Sequence, residues 1–170
     1  MNAELVAALR LVAITDNLRD GVDGLAARAG AAVRGGATMV QLRLKGADAR
    51  TIVSAARRLV RDLTVPVIVN DRVDVALAAE AENAREADYV GIGPVFSTGT
   101  KPDAGAAIGP EGFARLRMLA DLPAVGIGGI SADRAREVIV AGAAGVAVVS
   151  AIFGAGDPEQ AARALRNALS

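Results

Sequence analysis

Residues 123–152 read PAVGIGGISADRAREVIVAGAAGVAVVSAI, and they contain the clearest fold pattern of the chain. Two apolar runs, Pro123–Gly129 and Gly145–Ile152, flank an amphipathic segment, Ser131–Ala141. The pattern predicts a strand, a helix and a second strand. Both strand segments are almost continuously apolar, which is typical of a parallel sheet that is covered by helices on its faces. The stretch therefore predicts a β/α/β unit.

The same alternation runs through the whole chain. Six strands are predicted, at Leu9–Thr15, Thr38–Leu44, Pro66–Asn70, Tyr89–Val95, Pro123–Gly129 and Gly145–Ile152. Six helices are predicted, at Val22–Arg34, Ala47–Asp62, Asp71–Glu86, Pro110–Asp121, Ser131–Ala141 and Asp157–Leu169. Ser131 and Asp157 are predicted N-caps, with Pro158 in the first helical position and Gln160 placed for a capping box.

Unit spacing and chain length together predict the architecture. Strand starts recur about every 27 residues, and an ordinary eight-unit (β/α)8 (TIM) barrel needs roughly 200 to 250 residues. The chain has 170 residues. We therefore expect one α/β domain over residues 1–170, of the TIM (β/α)8-barrel type but shortened to about six β/α units.

Composition excludes several kinds of chemistry. The chain has no Cys and no His, so disulfides, thiolate nucleophiles, Ser-His-Asp triads and His-ligated metals are ruled out. Nineteen basic and nineteen acidic residues cancel, so bulk charge gives no reason to expect nucleic acid or an anionic membrane as a partner. The uncharged run 138–156 contains four glycines, which favours a helix end, a turn and a buried strand over a membrane span. The N-terminus lacks the features of a signal peptide, so we expect a cytoplasmic protein.

Candidate site residues are the polar ones at the carboxyl ends of the predicted strands, where parallel β/α proteins bind ligands. Strand alternation points Gln41, Arg43 and Lys45 to one face. The alternative is an edge strand with a solvated face. Lys45 and Lys101 are the only lysines beside 17 arginines, and both follow strand ends. They suggest a clamp for a phosphate or diphosphate, or an imine-forming amine.

Four other strand ends carry groups suited to an anion or a cation. Asp71 offers an oxygen ligand for Mg²⁺ beside the amide of Asn70, although it could simply cap the next helix. The loop after the fourth predicted strand could surround an anion with the hydroxyls of Thr98 and Thr100, backbone amides around Gly99 and the charge of Lys101. The small residues at the last two strand ends suit a phosphate site: Gly128, Gly129, Val149 and Ser150.

Taken together, the strand-end motifs resemble those of the thiamine phosphate synthase family. They are, in chain order, Gln41-x-Arg43-x-Lys45, Asn70-Asp71-Arg72, Pro94-Val95-Phe96-x-Thr98-x-Thr100-Lys101, Ile127-Gly128-Gly129-Ile130 and Val149-Ser150. The resemblance covers essentially the whole chain. It implies a (β/α)8 barrel that joins hydroxymethylpyrimidine diphosphate to thiazole phosphate, with Mg²⁺, and yields thiamine phosphate and pyrophosphate.

The resemblance also implies a role for each matched residue. The pyrimidine diphosphate would be held by Gln41, Arg43, Lys45, Asn70 and Lys101, of which Arg43, Lys45 and Lys101 would carry the catalytic charge. Asp71 would bind Mg²⁺. The thiazole phosphate would be held by Thr98, Gly99, Thr100, Gly128 or Gly129, Val149 and Ser150. No residue is required as a strong acid or base, because pyrophosphate can leave to form a pyrimidine cation that the thiazole nitrogen captures.

One departure from the family pattern lies after Ala78-Ala79. The chain passes almost directly to Asp88-Tyr89, so about two β/α units, the fourth and fifth strands, are missing. A second acidic Mg²⁺ ligand and a substrate-binding Ser would be lost with them. Open strand edges would then favour a homodimer. Two alternatives to the synthase follow: a shortened barrel that binds phosphate ligands without turnover, and a protein related to thiazole tautomerase. The sequence is also compatible with an incomplete copy of a longer chain.

Overall fold

The computed structural model describes residues 3–70, 88–101 and 103–170. The strands are β1 Leu11–Ile14, β2 Met39–Leu42, β3 Val67–Val69, β4 Val90–Ile92, β5 Ala124–Ile127 and β6 Gly145–Val148. The helices are α1 Ala3–Ala8, α2 Gly21–Arg34, α3 Ala49–Asp62, α4 Gly109–Arg117, α5 Ala132–Val140, α6 Ser150–Phe153 and α7 Pro158–Ala168. Among the helices in these ranges, none is long and apolar enough to cross a membrane.

The six strands form one sheet in the order β3-β2-β1-β6-β5-β4, and every neighbouring pair is parallel. The predicted parallel α/β architecture is therefore confirmed. Ala13 at the centre of the sheet pairs with Val40 on one side and Val148 on the other. All strands run in the same direction, so their carboxyl ends and the loops that follow them share one edge of the sheet.

The sheet has a hydrophobic cluster on each face. The larger cluster lies between the sheet and the helices and includes the fully buried Phe113 and Phe153. The smaller cluster contains Leu9, Val12, Ile14, Met39, Val125 and Ala147, and Leu5 and Ala8 of α1 pack against it. Alternation along each strand separates the two sets, since Val12 and Ile14 face the small cluster while Leu11 and Ala13 face the large one.

Several element predictions need correction. The last predicted strand ends at Val148, and Ser150–Phe153 form the short helix α6, because Phe153 and Gly154 donate backbone hydrogen bonds back to Val149 and Ser150. The fourth predicted helix ends at Arg117 rather than Asp121. Helix α1 was not predicted. The helix predicted at 71–86 lies outside the described residues.

The two predicted N-caps behave differently. The carboxylate of Asp157 accepts hydrogen bonds from the backbone N–H groups of Glu159 and Gln160, both at 3.0 Å, so it caps α7 as expected. Ser131 occupies the N-cap position of α5 but makes no side-chain capping bond. Its hydroxyl instead donates to Asp133 at 2.5 Å, and this bond lowers the pKa of the Asp133 carboxyl.

Candidate functional site

A cavity of about 510 Å³ opens at the carboxyl edge of the sheet. Its walls come from the residues that follow β2 to β6, and its floor includes apolar side chains of the small cluster, among them Ile14, Ile127 and Ala147. Apolar side chains lower the local dielectric constant, so a charged group beside them interacts more strongly with a ligand. The cavity lies where parallel β/α folds bind their ligands.

Most of the predicted site residues line this cavity. They are Gln41, Arg43, Asn70, Thr98, Gly99, Thr100, Lys101, Gly128, Gly129, Val149 and Ser150. Lys45 is not among the lining residues. The alternation that would place it beside Arg43 ends where β2 ends, at Leu42, and Lys45 is exposed in the following turn. Asp71 lies outside the described residues.

The charged residues that the structure describes in the cavity lining are positive. Arg43 and Lys101 are the charged residues in the lining of the described structure, and neither Asp nor Glu contributes to it. The side chain of Lys101 is half exposed, and the carboxylate of Asp103 lies 3.8 Å from its ammonium. An exposed pair at this distance is weak. Lys101 is therefore available to a bound anion.

Hydroxyl groups from two parts of the chain meet at one wall. The loop after β4 folds so that the Thr98 hydroxyl accepts a hydrogen bond from the backbone N–H of Thr100 at 3.2 Å. The Thr100 hydroxyl in turn donates to the Ser150 hydroxyl at 3.3 Å. Ser150 begins α6, in which the backbone N–H groups of Ile152 and Phe153 donate to the carbonyl of Val149 and those of Ser150 and Ala151 precede the first helical hydrogen bond. Together they form a surface of donors suited to an anion.

The turn after β5 needs glycine for two reasons. Gly128 and Gly129 have φ values of +95° and +65°, which favour glycine over other residues. A Cβ on Gly129 would also lie 2.4 Å from the carbonyl oxygen of Ser97. The backbone of this turn therefore packs directly against the loop after β4, and the two segments close one side of the cavity.

The described residues contain no group of three or more acidic side chains that could hold a metal ion. That does not decide against Mg²⁺, because proteins often hold it through one or two carboxylates together with substrate phosphates. Asn70, which precedes Asp71, lies in the cavity wall.

A family model described as thiamine monophosphate synthase matches residues 11–84 and 78–152 of this chain. The chain belongs to the thiamine monophosphate synthase family. The match includes all the strands and cavity-lining residues found in ranges 3–70, 88–101 and 103–170. The resemblance seen in the strand-end motifs is therefore confirmed.

Curated members of the family are similar over most of their length. A thiamine-phosphate synthase of Xanthobacter autotrophicus is 43% identical, with 95% of both chains covered. The thiamine-phosphate synthase of Moorella thermoacetica is 41% identical and covers 82% of this chain and 85% of its own.

Solved structures of the family and of more distant proteins share the fold. A thiamine phosphate pyrophosphorylase from Pyrococcus furiosus superposes with a TM-score of 0.82 at 33% identity, with 97% of both chains covered. A geranylgeranylglyceryl phosphate synthase from Thermoplasma acidophilum gives a TM-score of 0.72 at 12% identity, covering 99% of this chain and 98% of its own, which is a likeness of fold alone.

For this thiamine monophosphate synthase family member, the sequence patterns missed several lining residues. Ser97 and Ser131 line the cavity, and Ile14 and Ala147 belong to its floor. Ser97 could have been found, since it lies in the loop that already contained Thr98 and Thr100. Ser131 was interpreted only as a helix cap. The floor residues carry no chemical signal and become part of a site only through the sheet.

Proposed function

We propose that this chain condenses hydroxymethylpyrimidine diphosphate with thiazole phosphate to give thiamine phosphate and pyrophosphate. The observation that carries the proposal is the convergence of two cations and several hydroxyl and backbone donors on one cavity at the carboxyl edge of the sheet. Both substrates are phosphorylated, so the cavity has the groups that both require. The names of the curated relatives support the same reaction.

The pyrimidine diphosphate is assigned to the side of the cavity that contains Arg43 and Lys101. Arg43 presents a planar fork suited to two phosphate oxygens, and Lys101 adds a compact charge. The amides of Gln41 and Asn70 supply hydrogen bonds to uncharged heteroatoms. Lys45 lies outside the cavity lining, and its predicted part in catalysis stays a prediction.

The thiazole phosphate is assigned to the wall formed by the loops after β4, β5 and β6. Thr98, Thr100 and Ser150 offer hydroxyls there, and the turn at Gly129 and the start of α6 offer backbone N–H groups. Gly99 and Gly128 also line this wall, and Val149 contributes to its apolar part. Uncharged donors suit a monophosphate that must stay bound while the other substrate loses pyrophosphate.

The reaction requires one bond to break and one to form. The bond between the pyrimidine methylene carbon and the diphosphate oxygen breaks, and pyrophosphate leaves with the electron pair. The thiazole nitrogen then donates its lone pair to that carbon. Neither step transfers a proton, so the protein contributes by positioning the two substrates and by stabilising the leaving group through Arg43 and Lys101.

Mg²⁺ is assigned to Asp71, next in the chain to the cavity residue Asn70. When bound, Mg²⁺ would neutralise charge on the diphosphate. The residues that the structure describes supply no carboxylate to the cavity lining, so substrate phosphates and water would provide the other oxygen ligands.

The six-stranded sheet is assigned as a barrel from which the fourth and fifth β/α units are absent. The alignment with the Xanthobacter autotrophicus relative extends over 201 positions, more than the 170 residues of this chain, so the relative has residues without a counterpart here. The family model matches in two parts, 11–84 and 78–152, which overlap at the point where the sequence pattern also breaks. In the described structure β3 and β4 are the two ends of the sheet, as this assignment requires.

The two edge strands of the sheet also support a homodimer. Within the described residues, β3 pairs only with β2, and β4 pairs only with β5. A strand edge without a partner is a surface on which another chain can pair. Light scattering of the purified protein should give twice the monomer mass of 17.1 kDa, and a monomer at all tested concentrations would refute this part of the proposal.

The reaction is tested by measuring pyrophosphate release from the purified protein. The complete mixture contains both substrates and Mg²⁺, and three controls omit one substrate, the other substrate or the metal. Release that requires all three components is the expected result. Folded protein that releases no pyrophosphate would overturn the proposed activity.

The proposed loss of the fourth and fifth β/α units favours a second candidate function. A shortened barrel could retain the phosphate cavity and bind these ligands without turnover. Thermal stabilisation by thiazole phosphate, without pyrophosphate release, would support this second function over the first. Isomerisation of the thiazole without pyrophosphate release would instead support a relation to the tautomerase.

A further inference from the structure

Thr15, directly after β1, is the only polar residue that is fully buried among those the structure describes. Buried hydroxyl groups are hydrogen-bonded because an unpaired one loses its interaction with water. Both hydrogen-bonding functions of this hydroxyl are directed at one residue. It accepts from the backbone N–H of Arg43 at 2.9 Å and donates to the backbone carbonyl of Arg43 at 3.3 Å.

These two bonds fix the backbone of Arg43 just beyond the last residue that pairs within the sheet. Strand β2 ends at Leu42, one residue before Arg43. The backbone N–H of Thr15 donates to the carbonyl of Gln41 at 2.9 Å, which is the end of the regular pairing between β1 and β2. The Thr15 side chain then replaces the missing backbone partner, so the backbone of Arg43 keeps a defined position at the cavity wall.

We propose that Thr15 is a positioning residue that orients Arg43 toward the diphosphate. The inference rests on the proposed function, because it assumes that Arg43 binds that group. Thr15 is not among the residues that line the cavity. Both hydrogen bonds of its hydroxyl go to Arg43, which lines the cavity, so removal of the hydroxyl should act on the site through Arg43.

The chain contains a matched control at the opposite end of the same two strands. The Thr38 hydroxyl, just before β2, accepts from the backbone N–H of Leu11 at 2.8 Å and donates to the carbonyl of Ala8 at 2.8 Å. It too connects β1 to its neighbour through side-chain bonds. Thr38 lies at the amino end of the strands and does not line the cavity.

The test compares Thr15→Val with Thr38→Val in the full-length protein. Each change keeps the shape of the side chain and removes its hydroxyl. Thr15→Val should raise the KM for the pyrimidine diphosphate and the Kd for inorganic pyrophosphate by about threefold to tenfold, the value of one to two hydrogen bonds. The KM for thiazole phosphate should not change. Thr38→Val should lower the Tm without moving either constant, and Thr15→Ser should restore the KM.

A double-mutant cycle with Arg43→Ala decides whether Thr15 acts through Arg43. If it does, Thr15→Val should add no further loss of pyrophosphate affinity in the Arg43→Ala background. Additive losses would overturn the proposal, as would an unchanged KM in folded Thr15→Val. If Thr15→Val does not fold, Thr15→Cys, which weakens the same two bonds, is used in the cycle. Wild-type protein that binds pyrophosphate but turns over nothing would refute the proposed activity and leave this cycle measurable.

Discussion

The hydroxyl groups of Thr100 and Ser150 lie 3.3 Å apart, although 50 positions separate them in the chain. Thr100 belongs to the loop after β4 and Ser150 to the first turn after β6. These two strands are not neighbours, because β5 lies between them in the sheet. The hydrogen bond therefore closes the wall that we propose for the thiazole phosphate, and it does so across the end of an intervening strand.

This relationship makes Ser150→Ala informative. Loss of the hydroxyl removes one donor from the wall and leaves Thr100 without its partner. We expect the KM for thiazole phosphate to rise by about threefold to tenfold, with little change in the KM for the pyrimidine diphosphate. Steady-state kinetics with each substrate varied in turn shows whether only the KM for thiazole phosphate changes. Ser54→Ala, on the exposed face of α3, is the control, and equal kinetics in the two variants would contradict the assignment.

The two lysines of the chain provide a second comparison. Lys101 lines the cavity and Lys45 does not. Lys101→Ala should weaken pyrophosphate binding about tenfold and leave the Tm unchanged, since the side chain is half exposed and its contact with Asp103 is weak. Lys45→Ala should have a much smaller effect. Isothermal titration with pyrophosphate measures both, and a larger loss at Lys45 would place the diphosphate elsewhere.

The turn after β5 can be tested at a single glycine. Gly129→Ala adds a Cβ that would lie 2.4 Å from the Ser97 carbonyl oxygen, in a residue with φ of +65°. The positive φ alone costs about 1–2 kcal/mol for alanine, and the close contact adds to that cost. Gly105→Ala is the matched control, because Gly105 has φ of +79° with open space around it. Urea unfolding should show a larger loss for Gly129→Ala, together with a raised KM for thiazole phosphate. Equal losses would mean that the contact with Ser97 can relax.

Lowering the pH should destabilise the first turn of α3, because it protonates the capping carboxylate of Asp48. The backbone N–H of Thr51 donates to the Asp48 carboxylate at 3.0 Å, and this bond lowers the pKa of Asp48 below its ordinary value of 3.8. A lowered folded-state pKa means that the ionised cap stabilises the protein above the unfolded pKa, and that this stabilisation is lost as the pH falls through the folded pKa.

Asp48→Ala should therefore lower the Tm at neutral pH, and the difference from wild type should shrink below about pH 4. Asp48→Asn retains a capping side chain without a titratable charge. The Tm difference between Asp48→Asn and Asp48→Ala should be independent of pH. Thermal melts between about pH 2.5 and 7 span the titration of the carboxyl and measure both differences. A constant gap between wild type and Asp48→Ala would show that the charge contributes nothing.

The amino-acid sequence alone predicts the local structure of this protein, that is, where strands and helices form. Apolar runs such as 123–129 and 145–152 indicate strands, although the second strand ends at Val148. The amphipathic segment that begins at Asp157 indicates a capped helix. Both patterns can be read because period and capping depend on neighbouring residues. The strand ends follow from the same order, so the positions of Gln41, Arg43 and Lys101 in the chain are enough to group them as site candidates. The resemblance to the family added the expected reaction and an expected role for each matched residue.

The long-range contacts of the fold decide which of these groups share a cavity and what holds them there. Lys45 leaves the face of Arg43 because β2 ends before it, and Ser150 begins a helix instead of ending a strand. The positioning role that we propose for Thr15 depends on its hydrogen bond with Arg43, 28 positions away in the chain. Such outcomes depend on contacts between segments that are distant in the chain, and the energies of those contacts are not encoded in any local period or propensity.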